Sequence, residues 1–340
     1  MVALDKLEKD LQQGNLKSLY LLYGEEHYLI DTCLKKIRKL FGECIKGINY
    51  IAIDETNYKE MIQDIETPAF GYPKKLIVAR NTGIFKKEGK RKNSDISEFR
   101  EKLYKYLEEN WKTLSADVVL VFIEEDVDKQ NLYKWIDSSG EVCQINFQKA
   151  IQLEARLVNI CNMYQVKIDK QTIQYFLECC GTNMEDLINE IRKLIEYVGT
   201  GGTIKKEMID LLSIKKLESV IFDLTDSLGR RNLKQALVVY RNLIYQKEPV
   251  QKILITLYNH FKKLYLTLVA VNLKKDVATS LNLKPNQVFL VNKYKMQAKY
   301  FTEKELKGIL SELNNLDYKS KQGLIDIQIG LETVLCEYCS

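Results

Sequence analysis

Proline and histidine are scarce in this chain: four and two respectively in 340 residues, beside 16 glycines. So few helix breakers argue for a mostly helical chain. The two histidines, His27 and His260, lie far apart and are read as surface or structural residues. Long apolar runs are missing as well. Stretches such as Val118–Ile123 fall far short of the ~20 residues that cross a bilayer, so no membrane association is expected. The opening MVALDKLEKDL carries early acids and no apolar core of signal length, which points to a cytoplasmic protein. Eight cysteines, scattered and unpaired in spacing, fit reduced cytosolic thiols better than a disulfide framework. Neither sign of charge dominates: 51 basic residues against 46 acidic give a net +5, interspersed along solvated helix faces. What remains, 46% hydrophobic and 29% charged residues, is the composition of a globular protein with room for two or three domains.

A further lack is more specific. Leu19–Ile30, LYLLYGEEHYLI, has the strand–turn–helix layout of a nucleotide-binding loop, with a helix expected from near His27 towards Phe41. Such a loop needs glycines that bring amides onto phosphate, a lysine for the β/γ charge and a hydroxyl for Mg²⁺. After Gly24 the chain offers Glu25, Glu26 and His27 instead. Two carboxylates at a helix N-terminus suit the helix dipole but repel a triphosphate. The loop is read as degenerate, with no cofactor expected.

Up to Phe147, strand-like and helical segments alternate. Strands are expected at Leu19–Tyr23, Ile48–Ile53, Lys75–Val78, Val118–Ile123 and Val142–Phe147. Helices are expected at Asp31–Phe41, Tyr58–Glu66, Ile96–Asn110 and Leu132–Ser138. This alternation predicts an α/β domain over residues 1–147, a parallel sheet with flanking helices. The strand signal then nearly disappears. Residues 148–212 read as a small helical domain, with helices at Ala150–Tyr164, Lys170–Cys180, from Asn183 as N-cap to Gly199, and Lys205–Leu212. Residues 213–340 read as an all-α bundle with six helices, the longest over Pro249–Lys274.

Candidate chemistry is thin. Val118–Asp126, VVLVFIEED, resembles a strand ending in Mg²⁺-holding acids, but without a loop lysine there is no phosphate-bound metal for it to complete. Leu76-Ile77-Val78 leads into Ala79-Arg80-Asn81, which holds no metal. Cys336 and Cys339 form a lone C-x-x-C and Cys179-Cys180 are adjacent; neither has the second pair that tetrahedral zinc requires, so no metal is expected. No G-x-S-x-G elbow occurs. The basic run Lys86–Lys92, KKEGKRK, is read as a basic loop, with DNA contact through Lys86, Lys87, Lys90, Arg91 and Lys92 as the alternative. It carries no interleaved aromatics.

Thr67–Tyr72, TPAFGY, presents Phe70 and Tyr72 around a glycine on a connection between a helix stopped by Pro68 and a strand. Aromatics so placed make good protein-binding anchors, because each offers a large apolar area at little entropy cost. The competing reading tucks Phe70 under the sheet edge as core.

Taken together, these segments resemble the delta subunits of bacterial DNA polymerase III, the sliding-clamp loader family. The resemblance runs over nearly the full length: LYLLYGEEHYLI, ETPAFGYPKKLIVARN at Glu66–Asn81, VDKQNLYKWI at Val127–Ile136, GTNMEDLINEIRKL at Gly181–Leu194 and SVIFDLTDSLGRRNLKQAL at Ser219–Leu237. LNLKP (Leu281–Pro285), FTEKEL (Phe301–Leu306) and LDYKSKQG (Leu316–Gly323) complete it. It implies an AAA+-like module: a degenerate nucleotide-binding domain, a helical lid and a C-terminal collar that assembles the loader. It also implies a subunit that does not hydrolyse ATP. Its partners would be the β sliding clamp, the tau/gamma-type ATPases, delta-prime and primed DNA. The family's clamp-contacting tip is a Leu-Phe pair before the third strand. Phe70 stands at the phenylalanine position, Ala69 replaces the leucine, and Tyr72 is the candidate to supply the lost area. The competing functions are an AAA+-like NTPase with an unusual loop, and a DNA-binding accessory protein using the basic run.

Overall fold

The computed structural model describes residues 3–87 and 94–338. The chain forms two compact units, Met1–Phe147 and Gln148–Ser340.

The first unit runs α1 (Ala3–Gln12), β1 (Leu19–Tyr23), α2 (His27–Phe41), β2 (Tyr50–Ile53), a 3₁₀ turn (Tyr58–Glu60), α3 (Met61–Glu66), β3 (Lys75–Arg80), α4 (Ser94–Leu114), β4 (Val118–Glu124), α5 (Asn131–Ser139) and β5 (Glu141–Gln144). The strands form one sheet in the order β2-β3-β4-β1-β5, and every neighbouring pair is parallel. β1 and β4 are buried along their whole length, as parallel strands covered on both faces must be. On one face Leu19, Leu21, Ile77, Leu120 and Phe122 share a core with Leu103, Leu107 and Trp111 of α4 and with Leu132 and Ile136 of α5. Because every strand points the same way, the sheet has one N-terminal edge, where Lys75 lies beside Val118, and one C-terminal edge, where Tyr23 lies beside Glu124.

Several boundaries differ from those expected. β2 begins at Tyr50, since Ile48 is in a turn whose N–H donates to Ile45 O at 3.1 Å. β5 stops at Gln144, and α4 extends to Ser94 and Leu114. Helix α1 was not anticipated. It is amphipathic, burying Leu4, Leu7 and Leu11, and it packs against α2 and β5.

The second unit runs α6 (Ala150–Met163), β6 (Lys167–Ile168), α7 (Lys170–Cys180), α8 (Met184–Val198), β7 (Thr203–Ile204), α9 (Lys206–Leu212), α10 (Leu217–Gly229), α11 (Leu233–Tyr245), α12 (Val250–Asn272), α13 (Val277–Ser280), a 3₁₀ turn (Pro285–Leu290), α14 (Val291–Ala298), α15 (Glu303–Lys321) and α16 (Ile327–Glu337). Asn183 caps α8 as expected, accepting from Asp186 N, and Thr302 with Glu305 forms a capping box on α15. The two-residue strands β6 and β7 pair in parallel; they are too short to leave a periodic signal.

Helix α12 carries a wide apolar face. Ile253, Leu254, Leu257, Phe261 and Leu264 are all buried, with Tyr258 packed alongside, in a core shared with α10, α11, α15 and α16. The width of that face therefore serves the unit's own packing and says nothing about partners. His260 lies in the same interior, 5% exposed. Gln297 Nε2 donates to Phe222 O at 2.7 Å, which leaves Gln297 Oε1 to accept from His260 Nε2 at 2.9 Å. The imidazole also stands edge-on to Phe222 with 4.4 Å between ring centres.

Burial pushes the pKa of His260 down from 6.5 to about 3, so the folded chain holds the ring neutral. The unfolded chain takes up a proton near pH 6.5 that the folded chain refuses. The stability tied to His260 is thus fully present above that pH and is lost as pH falls towards 3, by at most about 1.4 kcal/mol per pH unit. Urea titrations between pH 7 and 4 should give a shallower fall of unfolding free energy for His260→Gln than for the parent chain; equal slopes would contradict a neutral buried ring.

Candidate functional site

The two edges of the parallel sheet carry the two features singled out in the sequence. At the C-terminal edge, Gly24 leaves β1 with φ +134°, a conformation reserved for glycine, and its N–H donates to Glu124 O at 3.1 Å. Ile145 N–H donates to Tyr23 O at 2.7 Å, and Glu26 N–H donates to Ile145 O at 3.1 Å. A Cβ on Gly24 would stand 2.3 Å from that same Ile145 oxygen. In a phosphate-binding loop, amides at these positions face phosphate oxygens. Here the amides of Gly24 and Glu26 are engaged by main-chain carbonyls. The Glu26 carboxylate is buried at the start of α2, while Glu25 and His27 are exposed.

Beside this loop, α2 and the ends of β2, β3 and β4 enclose a cleft of about 840 Å³. Arg80 pairs with Asp31, and the Arg38 guanidinium lies 4.4 Å from the centre of the Tyr50 ring and donates to its hydroxyl. Glu124, the acid ending β4, accepts from Thr82 N at 3.0 Å and Thr82 Oγ1 at 2.8 Å. Burial raises its pKa, against the lowering effect of the two Thr82 bonds. This carboxylate ties β4 to the segment after β3. Among the described residues no group of three or more His, Cys, Asp or Glu could hold a metal ion. Lys86 and Lys87 are exposed beyond Thr82; Lys90, Arg91 and Lys92 lie outside the described residues.

At the N-terminal edge, α3 ends at Glu66 and the chain turns through Thr67–Pro73 into β3. Tyr72 N–H donates to Ala69 O at 2.9 Å, and Gly71 has φ +81°. This is a four-residue turn with glycine where positive φ is required, and it places Phe70 at the outer corner. Phe70 is 74% exposed, so it is not part of the sheet's core. Ala69 and Tyr72 are half-buried beside it. The start of the turn is fixed by Thr67 Oγ1, which donates to Gln63 O at 2.8 Å.

Directly behind the turn lies a buried lysine that the sequence analysis did not single out. Lys75, the first residue of β3, is 3% exposed, and its Nζ donates to Asp64 O at 2.6 Å and to Thr67 O. A lysine set directly before the apolar run Leu76–Ala79 of β3 is the one signal that could have drawn notice.

The same stretches of sequence carry a family match. Residues 20–148 match the family described as DNA polymerase III, delta subunit, and residues 218–338 match the DNA polymerase III delta subunit, C-terminal domain. The chain belongs to the DNA polymerase III delta subunit family. Relatives of this delta family include DNA polymerase III subunit delta of Bacillus subtilis (strain 168), 25% identical over 335 residues, which are 97% of this chain and 95% of that one. A probable DNA polymerase III subunit delta of Aquifex aeolicus (strain VF5) is 27% identical over 317 residues, covering 89% of this chain and 86% of its own. The solved structure of the Bacillus subtilis DNA clamp loader delta protein shares the fold, with a TM-score of 0.74 and 23% identity over 99% of each chain. The architecture is accordingly that of a delta subunit: a parallel α/β sheet domain followed by a helix-rich C-terminal region. No helix among the described residues is long and apolar enough to cross a membrane.

The closed loop makes two predictions. A native-state ATP site would stabilise the chain by about 2.7 kcal/mol at a hundredfold excess over Kd. Scanning calorimetry should instead show the same melting temperature with and without Mg·ATP, and a clear rise would reopen the loop as a nucleotide site. Gly24→Ala should lower stability by about 3 kcal/mol or more, since the new methyl must displace the Ile145 carbonyl as well as adopt positive φ.

Proposed function

We propose that this delta-family chain is the non-hydrolysing, clamp-binding subunit of a DNA polymerase III clamp loader. In this reading Phe70, aided by Tyr72 and Ala69, seats in an apolar pocket on one protomer of the ring-shaped β clamp and favours an opened interface. The tau/gamma-type ATPases and delta-prime supply the ATP-driven steps and the rest of the assembly. Residues 148–212 act as a lid and 213–340 as the collar that joins the subunits. Primed DNA in the assembled loader is contacted by the basic run of the sequence, Lys86, Lys87, Lys90, Arg91 and Lys92. The chain itself carries out no catalysis and needs no cofactor.

The observation that carries this reading is the exposure of Phe70. A large aromatic ring held at the corner of a hydrogen-bonded turn, out of its own core, gains much by burial against a partner and loses little conformational freedom on binding. The engaged amides and the carboxylates after Gly24 support the absence of hydrolysis. The same features disfavour the AAA+-like NTPase reading.

Truncating a central interface aromatic costs at least about 2 kcal/mol, roughly thirtyfold in affinity. Phe70→Ala should therefore weaken binding to the cognate β clamp about thirtyfold, measured by surface plasmon resonance, with the melting temperature unchanged. Unchanged clamp affinity would remove Phe70 from the contact.

A further inference from the structure

The turn that bears Phe70 is short, exposed and joined to a helix of only six residues, α3. Such a helix has no propagation energy to hold its own C-terminus, whose last carbonyls have no partners within the helix. The carbonyls of Asp64 and Thr67 both point at one buried cation, the Lys75 ammonium. Lysine is a usual partner for the end of a helix, but in most proteins it does this from the surface. Lys75 does it from inside: it is 3% exposed, and its backbone is fixed in the sheet by its N–H donating to Asp117 O at 2.7 Å and by its register with Val118. With Ile65, Leu114 and Val118 it lines a cavity of about 370 Å³ beneath Thr67, Pro68, Ala69 and Tyr72.

From this geometry we propose that Lys75 is a positioning residue for clamp binding: its buried ammonium latches the C-terminal end of α3 to the rigid edge of the sheet and thereby holds the Phe70 turn in its projecting form. The proposal rests on the clamp-binding reading of Phe70. Burial depresses the pKa of Lys75, while the nearby Asp64 carboxylate opposes that shift. An ammonium held in such a place needs acceptors, and the two carbonyls at the root of the turn take two of its three N–H donors. One end of the latch is immobile. The other is the segment whose disorder would withdraw Phe70 from its partner.

The test uses Lys75→Met, which keeps most of the apolar stem and removes the ammonium. If the projecting form drops to about a tenth of the population, apparent clamp affinity falls about tenfold. Chymotrypsin cutting at Phe70–Gly71, followed by mass spectrometry, should speed up about tenfold or more, since the open form rises from a small fraction to about nine tenths. Leu76→Ala, a core truncation in the same strand, should lower the melting temperature yet leave both readouts near wild type. The deciding measurement is the Phe70→Ala/Lys75→Met double variant. Once the ring is gone, Lys75→Met should cost no further affinity, because it acts through Phe70. Additive losses, or a Lys75→Met affinity and cutting rate within twofold of wild type, would overturn the latch. Should Lys75→Met fail to melt cooperatively, Lys75→Gln, a shorter donor, should show the same two changes at smaller size, and their absence would count equally against it. If Phe70→Ala alone leaves clamp affinity intact, the clamp-binding reading falls, and faster cutting in Lys75→Met still shows that the latch exists.

Discussion

The carbonyl oxygen of Ile145 is the point on which the first unit turns. It accepts from Glu26 N–H and occupies the space where any side chain at position 24 would begin, so the exit of β1 and the entry of α2 are tied to the strand beside them. Gly24 is kept for that approach and not for a phosphate. A glycine at a strand–helix turn has the same outline in both cases; what differs is which atom faces its amide. The amides of Gly24 and Glu26, which would face phosphate in a nucleotide-binding loop, are held by main-chain carbonyls, while the cleft beside them stays open.

The opposite edge is built on different physics. The six residues of β3, five rises of ~3.3 Å or about 17 Å from first to last, separate the Phe70 turn from the C-terminal edge, and Leu76, Ile77, Val78 and Ala79 between them are buried. The turn gets its shape from local bonds: Tyr72 to Ala69, Thr67 to Gln63, and Lys75 to the end of α3. None of these depends on the state of the old nucleotide loop. The bonds that shape the tip and those that shape the loop after β1 are thus separate sets.

Much of the fold was legible in the sequence because burial on both faces leaves continuous apolar runs. LYLLY and VVLVFIE are strands by composition alone, and Asn183 caps its helix with the usual polar atom. The degenerate loop was legible because its chemistry depends on residue type. Less visible were features set by tertiary contact. Helix α1 has only ten residues, and the pair β6–β7 only four. The neighbours that cover the wide apolar face of α12 are likewise set by tertiary packing. Phe70 could have been core or anchor by type, and the direction of its turn, fixed by Gly71, decides that it is exposed. Lys75 was hidden by its own strand, since no pattern rule distinguishes a buried lysine with two carbonyl partners from a solvated one.

The proposed function divides labour between the two edges: a partner binds at the N-terminal edge of the sheet, and the loop after β1 at the C-terminal edge is structural. Amide hydrogen exchange of the full chain, alone, with saturating β clamp and with Mg·ATP, tests it most directly. Exchange should slow across residues 67–75 when the clamp is added, and residues 23–30 should exchange identically in all three conditions. Protection of residues 23–30 by Mg·ATP, or no change across 67–75 at saturating clamp, would contradict it.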